Sequence, residues 1–150
     1  MNKIVPFYTN TSDDTHCYQA GLKMILKYFI PDKDFSWEEL DKFTAKVEDL
    51  WTWPTQALIN LHNMGFEIVE MDDFSIDEFI KDGGDYMIRR YGKEVGEAQI
   101  IHSDIDQERN IFANYIQLNL HQEILPTIDD IRKLIDQDYL VLCNVNSKTL

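Results

Sequence analysis

The hydrophobic pattern is clearest over residues 15–29, where it predicts an α-helix that ends before Pro31. Apolar residues cover much of the circumference of this helix, so we expect it to be buried at the centre of the fold. Lys23 and Lys27, four residues apart on the helix, then form its exposed edge. The apolar stripe consists of Cys17, Ala20, Gly21, Met24 and Tyr28, widened by Leu22, Ile25, Leu26 and Phe29.

Start and stop signals predict the other helices. Ser36 with Glu39, and Ser75 with Glu78, have the spacing of a capping box, in which two side chains satisfy backbone N–H groups at the start of a helix. Glycine often ends a helix because it adopts conformations that other residues avoid. The predicted helices span 36–48, 52–65 with Pro54 in its first turn, 75–83, 85–121 with breaks at Gly92 and Gly96, and 127–137 with Thr127 as its cap.

Two segments have the pattern of β-strands. Residues 66–71 alternate between apolar and acidic positions, which indicates a half-buried strand. Residues 139–145 form a continuous apolar run that is typical of a central strand, with Cys143 in the core. The predicted fold is therefore α+β, a helix-rich lobe with a small antiparallel sheet, and the helix at 15–29 packs against the sheet that contains 139–145. Residues 1–150 are enough for a single domain.

The acidic composition limits the partners. The 150 residues carry 27 Asp and Glu against 14 Lys and Arg, a net charge of −13. Such a surface repels polyanions, so we expect no nucleic-acid partner and no membrane partner. A basic substrate is compatible with this charge, and so is a surface that charge simply keeps soluble. With no transmembrane run and no signal-peptide pattern in the sequence, we expect a cytoplasmic protein with reduced thiols.

Cys17 is the main candidate for chemistry. It follows four good N-cap residues at 12–15, so it falls in the first helical turn, where N–H groups and the helix dipole stabilise a thiolate and an oxyanion. The alternative is a small buried thiol, and Asp13 and Asp14 argue against reactivity because nearby negative charge raises a thiol pKa. His16 points about 100° away from its neighbour on a helix, so we do not expect it to act as the base.

We predict no metal and no other cofactor. No two of the four histidines have the spacing of metal ligands. His62 is expected to face solvent. His102 and His121 flank a predicted helix, and neither has an identifiable carboxylate partner in the sequence.

The stretch DDTHCYQAGLKMILKYF, preceded by the extended VPFYTN, resembles the start of papain-like cysteine peptidases. It is most similar to the double-glycine leader peptidase-like family, which processes bacteriocins. WPTQALINLHNMGFEI resembles that family's next helix and edge strand, and IDDIRKLIDQDYLVLCNVN resembles its late helix and strand. The resemblance implies a cysteine peptidase-like fold, with Cys17 as the nucleophile and a peptide or protein as the substrate.

The resemblance also implies an oxyanion-binding glutamine about six or seven residues before the cysteine, where this chain has Asn10 and Thr11. Asn10 can donate the same kind of amide hydrogen bond over a shorter reach, and it is our candidate for that role. Tyr18 stands where the family often has glycine. The family's histidine base follows the counterpart of 139–146, and this sequence ends at Leu150 before such a residue, so we expect the domain to lack its C-terminal part.

Three hypotheses remain. The first is a thiol-dependent hydrolase or acyl transferase that acts on a peptide or amide bond and whose base lies outside this sequence. The second is an inactive peptidase-like scaffold that binds a peptide or protein, and the third is an acidic α+β interaction module with an accidental resemblance. Trp51 and Trp53 precede the helix at 54–64, where they can line a peptide cleft or form a hydrophobic staple. The oligomeric state is not predicted.

Overall fold

The computed structural model describes residues 4–12 and 14–144, and helices predominate there, so the helix-rich α+β class is confirmed. The α-helices are α1 (Cys17–Phe29), α2 (Trp37–Thr44), α3 (Thr55–Asn63), α4 (Ile76–Asp82), α5 (Gly84–Tyr91), α6 (Lys93–Ile101), α7 (Ile105–Tyr115) and α8 (Ile128–Asp136). The strands are β1 (Glu70–Asp72) and β2 (His121–Glu123), and a short 3₁₀ helix spans Ile116–Leu118.

Helix α1 confirms the first predicted helix. Its buried face places Leu22 and Leu26 in a core cluster with residues of α2 and α3. The predicted exposed edge is wrong at Lys23, which is buried. Its Nζ donates to the carbonyl of Phe35 and lies 3.5 Å from Asp34 Oδ1. A lysine stem covers apolar surface well as long as the ammonium group finds partners, and here it does.

Local capping decides where several helices begin. Ser36 and Glu39 form the predicted capping box of α2, and Thr127 caps α8 in the same way. Helix α2 ends at Thr44, earlier than predicted. The box predicted at Ser75 is wrong: α4 begins at the next residue without a side-chain hydrogen bond from Ser75. The backbone N–H of Ser75 donates instead to a tyrosine hydroxyl of α5.

One of the two predicted glycine breaks is confirmed. Gly92 has a φ of 80°, which glycine adopts without strain, and it separates α5 from α6. Gly96 lies inside α6 and does not break the helix. A Cβ atom at Gly96 would lie 2.6 Å from the Cα of Ile88, so this glycine allows the backbones of α5 and α6 to touch.

Strands β1 and β2 pair in parallel, with Glu70 opposite His121 and Asp72 opposite Glu123. The predicted antiparallel sheet is therefore wrong. Helices α4 to α7 lie between the two strands in the chain, and parallel pairing requires a long connection of this kind. The strand predicted over 66–71 begins only at Glu70.

The apolar run predicted as a central strand is not a strand over residues 139–144, and residue 145 lies outside the described residues. Cys143 is exposed, so its predicted place in the core is also wrong. An apolar run becomes a central strand only when neighbours pair with it, and no described strand does so. The run still contacts α1, because a Cβ atom at Gly21 would lie 2.9 Å from Leu142 Cδ1.

A second core cluster is aromatic and supports the site described below. Trp53 stacks on Phe79 with 5.3 Å between ring centroids, and Phe112 meets Trp53 edge-on at 5.9 Å. Such ring pairs add specific geometry to the burial of apolar surface, so they hold the Trp53 segment in place. The buried members of the cluster are Phe74, Ile76, Phe79, Tyr86, Met87, Phe112 and Tyr115.

Candidate functional site

A cleft of about 680 Å³ opens beside the start of α1. Its apolar walls come largely from the aromatic cluster and include Trp53, Phe74, Ile76, Met87 and Phe112. Its polar groups include Cys17, Glu70, Asp72, His121 and Asn144. The volume is that of an ordinary ligand pocket, and few but varied polar groups on apolar walls are typical of one.

Cys17 is the first residue of α1, and its exposed side chain lines this cleft. The alternative of a buried thiol is therefore wrong. No side-chain hydrogen bond caps α1 within the part of the chain that the structure describes, so the first-turn N–H groups remain available to an anion. Because Leu22 and Leu26 anchor α1 in the core, the backbone that carries the thiol is held rigidly.

Asn10 organises the loop that leads to Cys17 and is not among the described residues that line the cleft. Its Oδ1 accepts the backbone N–H groups of Thr11 at 2.8 Å and His16 at 2.9 Å. Its Nδ2 donates to Asp14 Oδ1 at 3.5 Å. The amide that would serve an oxyanion is thus directed to the loop in this structure.

His16 faces away from the cleft, as expected. Its Nε2 lies 3.1 Å from Asp41 Oδ1, and its Nδ1 lies 2.8 Å from Thr11 Oγ1. Its ring meets Trp37 edge-on. Both ring nitrogens are occupied, so His16 anchors the loop to α2. His62 is exposed, and its predicted position facing solvent is confirmed.

His121 is the histidine that shares the cleft with Cys17, and it has the carboxylate partner that the sequence did not reveal. Its Nε2 lies 2.7 Å from Asp72 Oδ1 on the neighbouring strand. A carboxylate in this position fixes the orientation of an imidazole. Within residues 4–12 and 14–144, no hydrogen bond joins Cys17 to His121 or to any other histidine.

Next to this pair, the buried hydroxyl of Tyr115 donates to Glu70 Oε2 at 2.6 Å. Burial raises the pKa of Glu70, and the neighbouring Asp72 raises it further, while the Tyr115 hydrogen bond opposes them. No local pattern predicts this network, because the two strands are distant in sequence. The only sequence signal is that acidic residues lie at the end of segment 66–71 and directly after it.

Trp51 and Trp53 both line the cleft, and each also packs against the protein. The Trp53 Nε1 donates to Ser103 Oγ at 2.9 Å, which fixes the ring in the aromatic cluster. Trp51 is 46% exposed and stacks on the exposed ring of His102 at 4.8 Å. The two rings therefore differ: one is part of the core, and the other offers ring surface at the mouth of the cleft.

The chain matches no family model, no curated protein and no solved structure. Over residues 4–12 and 14–144, no group of three or more His, Cys, Asp or Glu side chains is arranged to hold a metal ion. Over the same residues, every helix is too short or too polar to cross a membrane. The resemblance to papain-like peptidases stays a hypothesis that rests on the sequence motifs.

Proposed function

We propose that the cleft carries out thiol-dependent acyl transfer or hydrolysis on a peptide or amide bond, with Cys17 as the nucleophile. The single observation that carries the proposal is the exposed thiol of Cys17 at the start of α1, inside a cleft of ligand size. Among the three hypotheses drawn from the sequence, this is the one that gives the exposed thiol of Cys17 a chemical role. The resemblance of the sequence motifs to papain-like cysteine peptidases is consistent with this proposal.

In the proposed reaction the Cys17 thiolate attacks the substrate carbonyl carbon, and the carbonyl π electrons move to the oxygen. In this proposal the first-turn N–H groups of α1 are the donors that stabilise the oxyanion. Collapse of the tetrahedral intermediate breaks the C–N bond, and the leaving amine takes a proton from water, which balances the proton that the thiol released to water when the thiolate formed. The thioester on Cys17 is then resolved by water or by an acceptor amine, which regenerates the thiol.

The test compares Cys17 with Cys143, because both thiols are exposed and differ in their surroundings. We expect iodoacetamide at pH 6 to alkylate Cys17 about tenfold faster than Cys143, because N–H groups at the start of a helix stabilise the reactive thiolate form. Mass spectrometry of the intact chain and of the Cys17→Ser and Cys143→Ser variants assigns each adduct. Equal, slow alkylation of both thiols contradicts the proposal.

The same assay identifies or excludes His121 as the base. Because no hydrogen bond joins it to Cys17, we expect His121→Asn to leave the Cys17 alkylation rate unchanged, as does the exposed control His62→Asn. A fall of about tenfold in His121→Asn alone would assign the base to His121, since removal of a general base slows the step that depends on it.

A second function, peptide or protein binding without chemistry, is favoured by one observation: His121, the histidine that lines the cleft with Cys17, is hydrogen-bonded to Asp72 and not to Cys17. A peptide that carries a thiol-reactive vinyl sulfone separates the two functions. Covalent labelling of Cys17, blocked by prior alkylation, supports the enzyme. Reversible binding of the same peptide without labelling supports the binding module.

A further inference from the structure

The cleft has an uneven distribution of charge. Its described lining contains the carboxylates of Asp14, Glu70 and Asp72 and no lysine or arginine, so His121 is the one basic side chain there. The low-dielectric aromatic walls strengthen the field of these carboxylates, because less water screens them. The lining therefore favours a positively charged group over a neutral or negative one.

Two carboxylates of β1 keep an oxygen free for such a group. Glu70 Oε2 accepts the Tyr115 hydroxyl, and Asp72 Oδ1 is shared by His121 and the backbone N–H of Phe74. Within residues 4–12 and 14–144, Glu70 Oε1 and Asp72 Oδ2 have no hydrogen-bond partner and no lysine or arginine beside them. Burial is the main cause of the raised pKa of Glu70, and the charge of Asp72 adds to it, so a bound cation also relieves the repulsion between the two carboxylates.

Aromatic rings supply a second, independent feature. Trp51 is 46% exposed and Tyr91 is 42% exposed, and both line the cleft. The guanidinium of Arg90 already lies over the Tyr91 ring, 5.6 Å from its centroid. Trp51 stacks on His102 with one face, so its other face is the ring surface that a further cation can use. Large aromatic side chains are more often buried than this, and an exposed ring in a cleft attracts cations through its electron-rich face. A guanidinium group uses both features at once, because it forms bidentate hydrogen bonds with carboxylates and stacks on aromatic rings.

We infer that the cleft binds an arginine-bearing peptide, with the guanidinium held by the free oxygens of Glu70 and Asp72 against the ring of Trp51. The inference rests on the proposed function, because the same peptide presents its amide bond to Cys17. The cleft volume of about 680 Å³ accommodates a side chain of this length together with adjoining backbone.

The test measures binding without chemistry, in the full chain carrying Cys17→Ala. The probes are a fluorescein-labelled pentapeptide with a central arginine and its counterpart with citrulline, which has the same shape and no charge. We expect fluorescence anisotropy to give a Kd about tenfold lower for the arginine peptide, the scale of one charge-assisted pair. The double variant Glu70→Gln with Asp72→Asn is expected to bind both peptides equally.

The control variant, Asp32→Asn with Asp136→Asn, also removes two negative charges, but from exposed positions outside the cleft lining. It is expected to keep the preference for the arginine peptide. Equal Kd values for the two peptides in the Cys17→Ala chain overturn the inference, as does no binding, and neither result depends on how the double variant folds. A preference that both double variants reduce equally also overturns it, because net charge then explains the binding. Slow alkylation of Cys17 with an intact arginine preference rejects the enzyme and keeps the arginine site.

Discussion

Glu108 on α7 is a buried acid whose ionisation opposes folding. Its side chain is 5% exposed, and its Oε2 has no hydrogen-bond partner among the described residues. Burial raises the pKa of Glu108 from 4.5 to about 7, and the charge of Asp104 adds to the effect, while a hydrogen bond with Gln107 opposes it. The folded protein thus holds the proton more tightly than the unfolded chain.

The size and sign of the effect follow from this difference. A rise in pKa from 4.5 to about 7 corresponds to about 3 kcal/mol, at roughly 1.4 kcal/mol per pKa unit. Below pH 4.5 the carboxyl is protonated in both states and costs nothing. Between pH 4.5 and 7 only the unfolded chain releases the proton, so the free energy of unfolding falls, and above pH 7 the loss is complete.

We therefore expect Glu108→Gln to be up to about 3 kcal/mol more stable than the parent at pH 8 and equal to it at pH 4.5. Urea titrations followed by tryptophan fluorescence at both pH values measure the difference. Asp106→Asn, an exposed neighbour on the same helix, removes one negative charge as well and controls for the net charge of −13. The same pH dependence in Glu108→Gln and Asp106→Asn would show that the ionisation of Glu108 does not oppose folding.

Two further predictions concern packing and the network at β1. Gly96→Ala and Gly21→Ala gain the same helix propensity of about 1 kcal/mol, but the new methyl meets backbone at Gly96 and the end of the flexible Leu142 side chain at Gly21. We expect urea unfolding to show Gly96→Ala destabilised by about 1–2 kcal/mol and Gly21→Ala unchanged or more stable, and equal effects would contradict the close α5–α6 contact. Tyr115→Phe removes the hydrogen bond that lowers the pKa of Glu70, so its destabilisation of about 1–3 kcal/mol is expected to be larger at pH 8 than at pH 5. A loss of equal size at both pH values would show that the hydroxyl does not act through the carboxylate.

For the site, the sequence predicted that Cys17 lies at the start of a helix and missed the residues around it. Cys17 was found because its position at a helix start depends on neighbouring residues alone. The pairing of Asp72 with His121 depends on a register between two strands that are distant in the chain. The role predicted for Asn10 stays a prediction, and the structure adds that its amide contacts Asp14 in the loop.

The sequence by itself determined the local features: the span of α1, the capping boxes of α2 and α8, and the turn at Gly92. These features depend on residues within a few positions of one another, so the pattern contains the information. Only the tertiary structure decided that β1 and β2 pair in parallel, that the run at 139–144 stays unpaired over its described length, and that Gly96 serves a helix contact. Strand pairing and close packing depend on which distant segments meet. The hydrophobic pattern of a segment is the same whichever partner covers it, so the pattern does not reveal that partner.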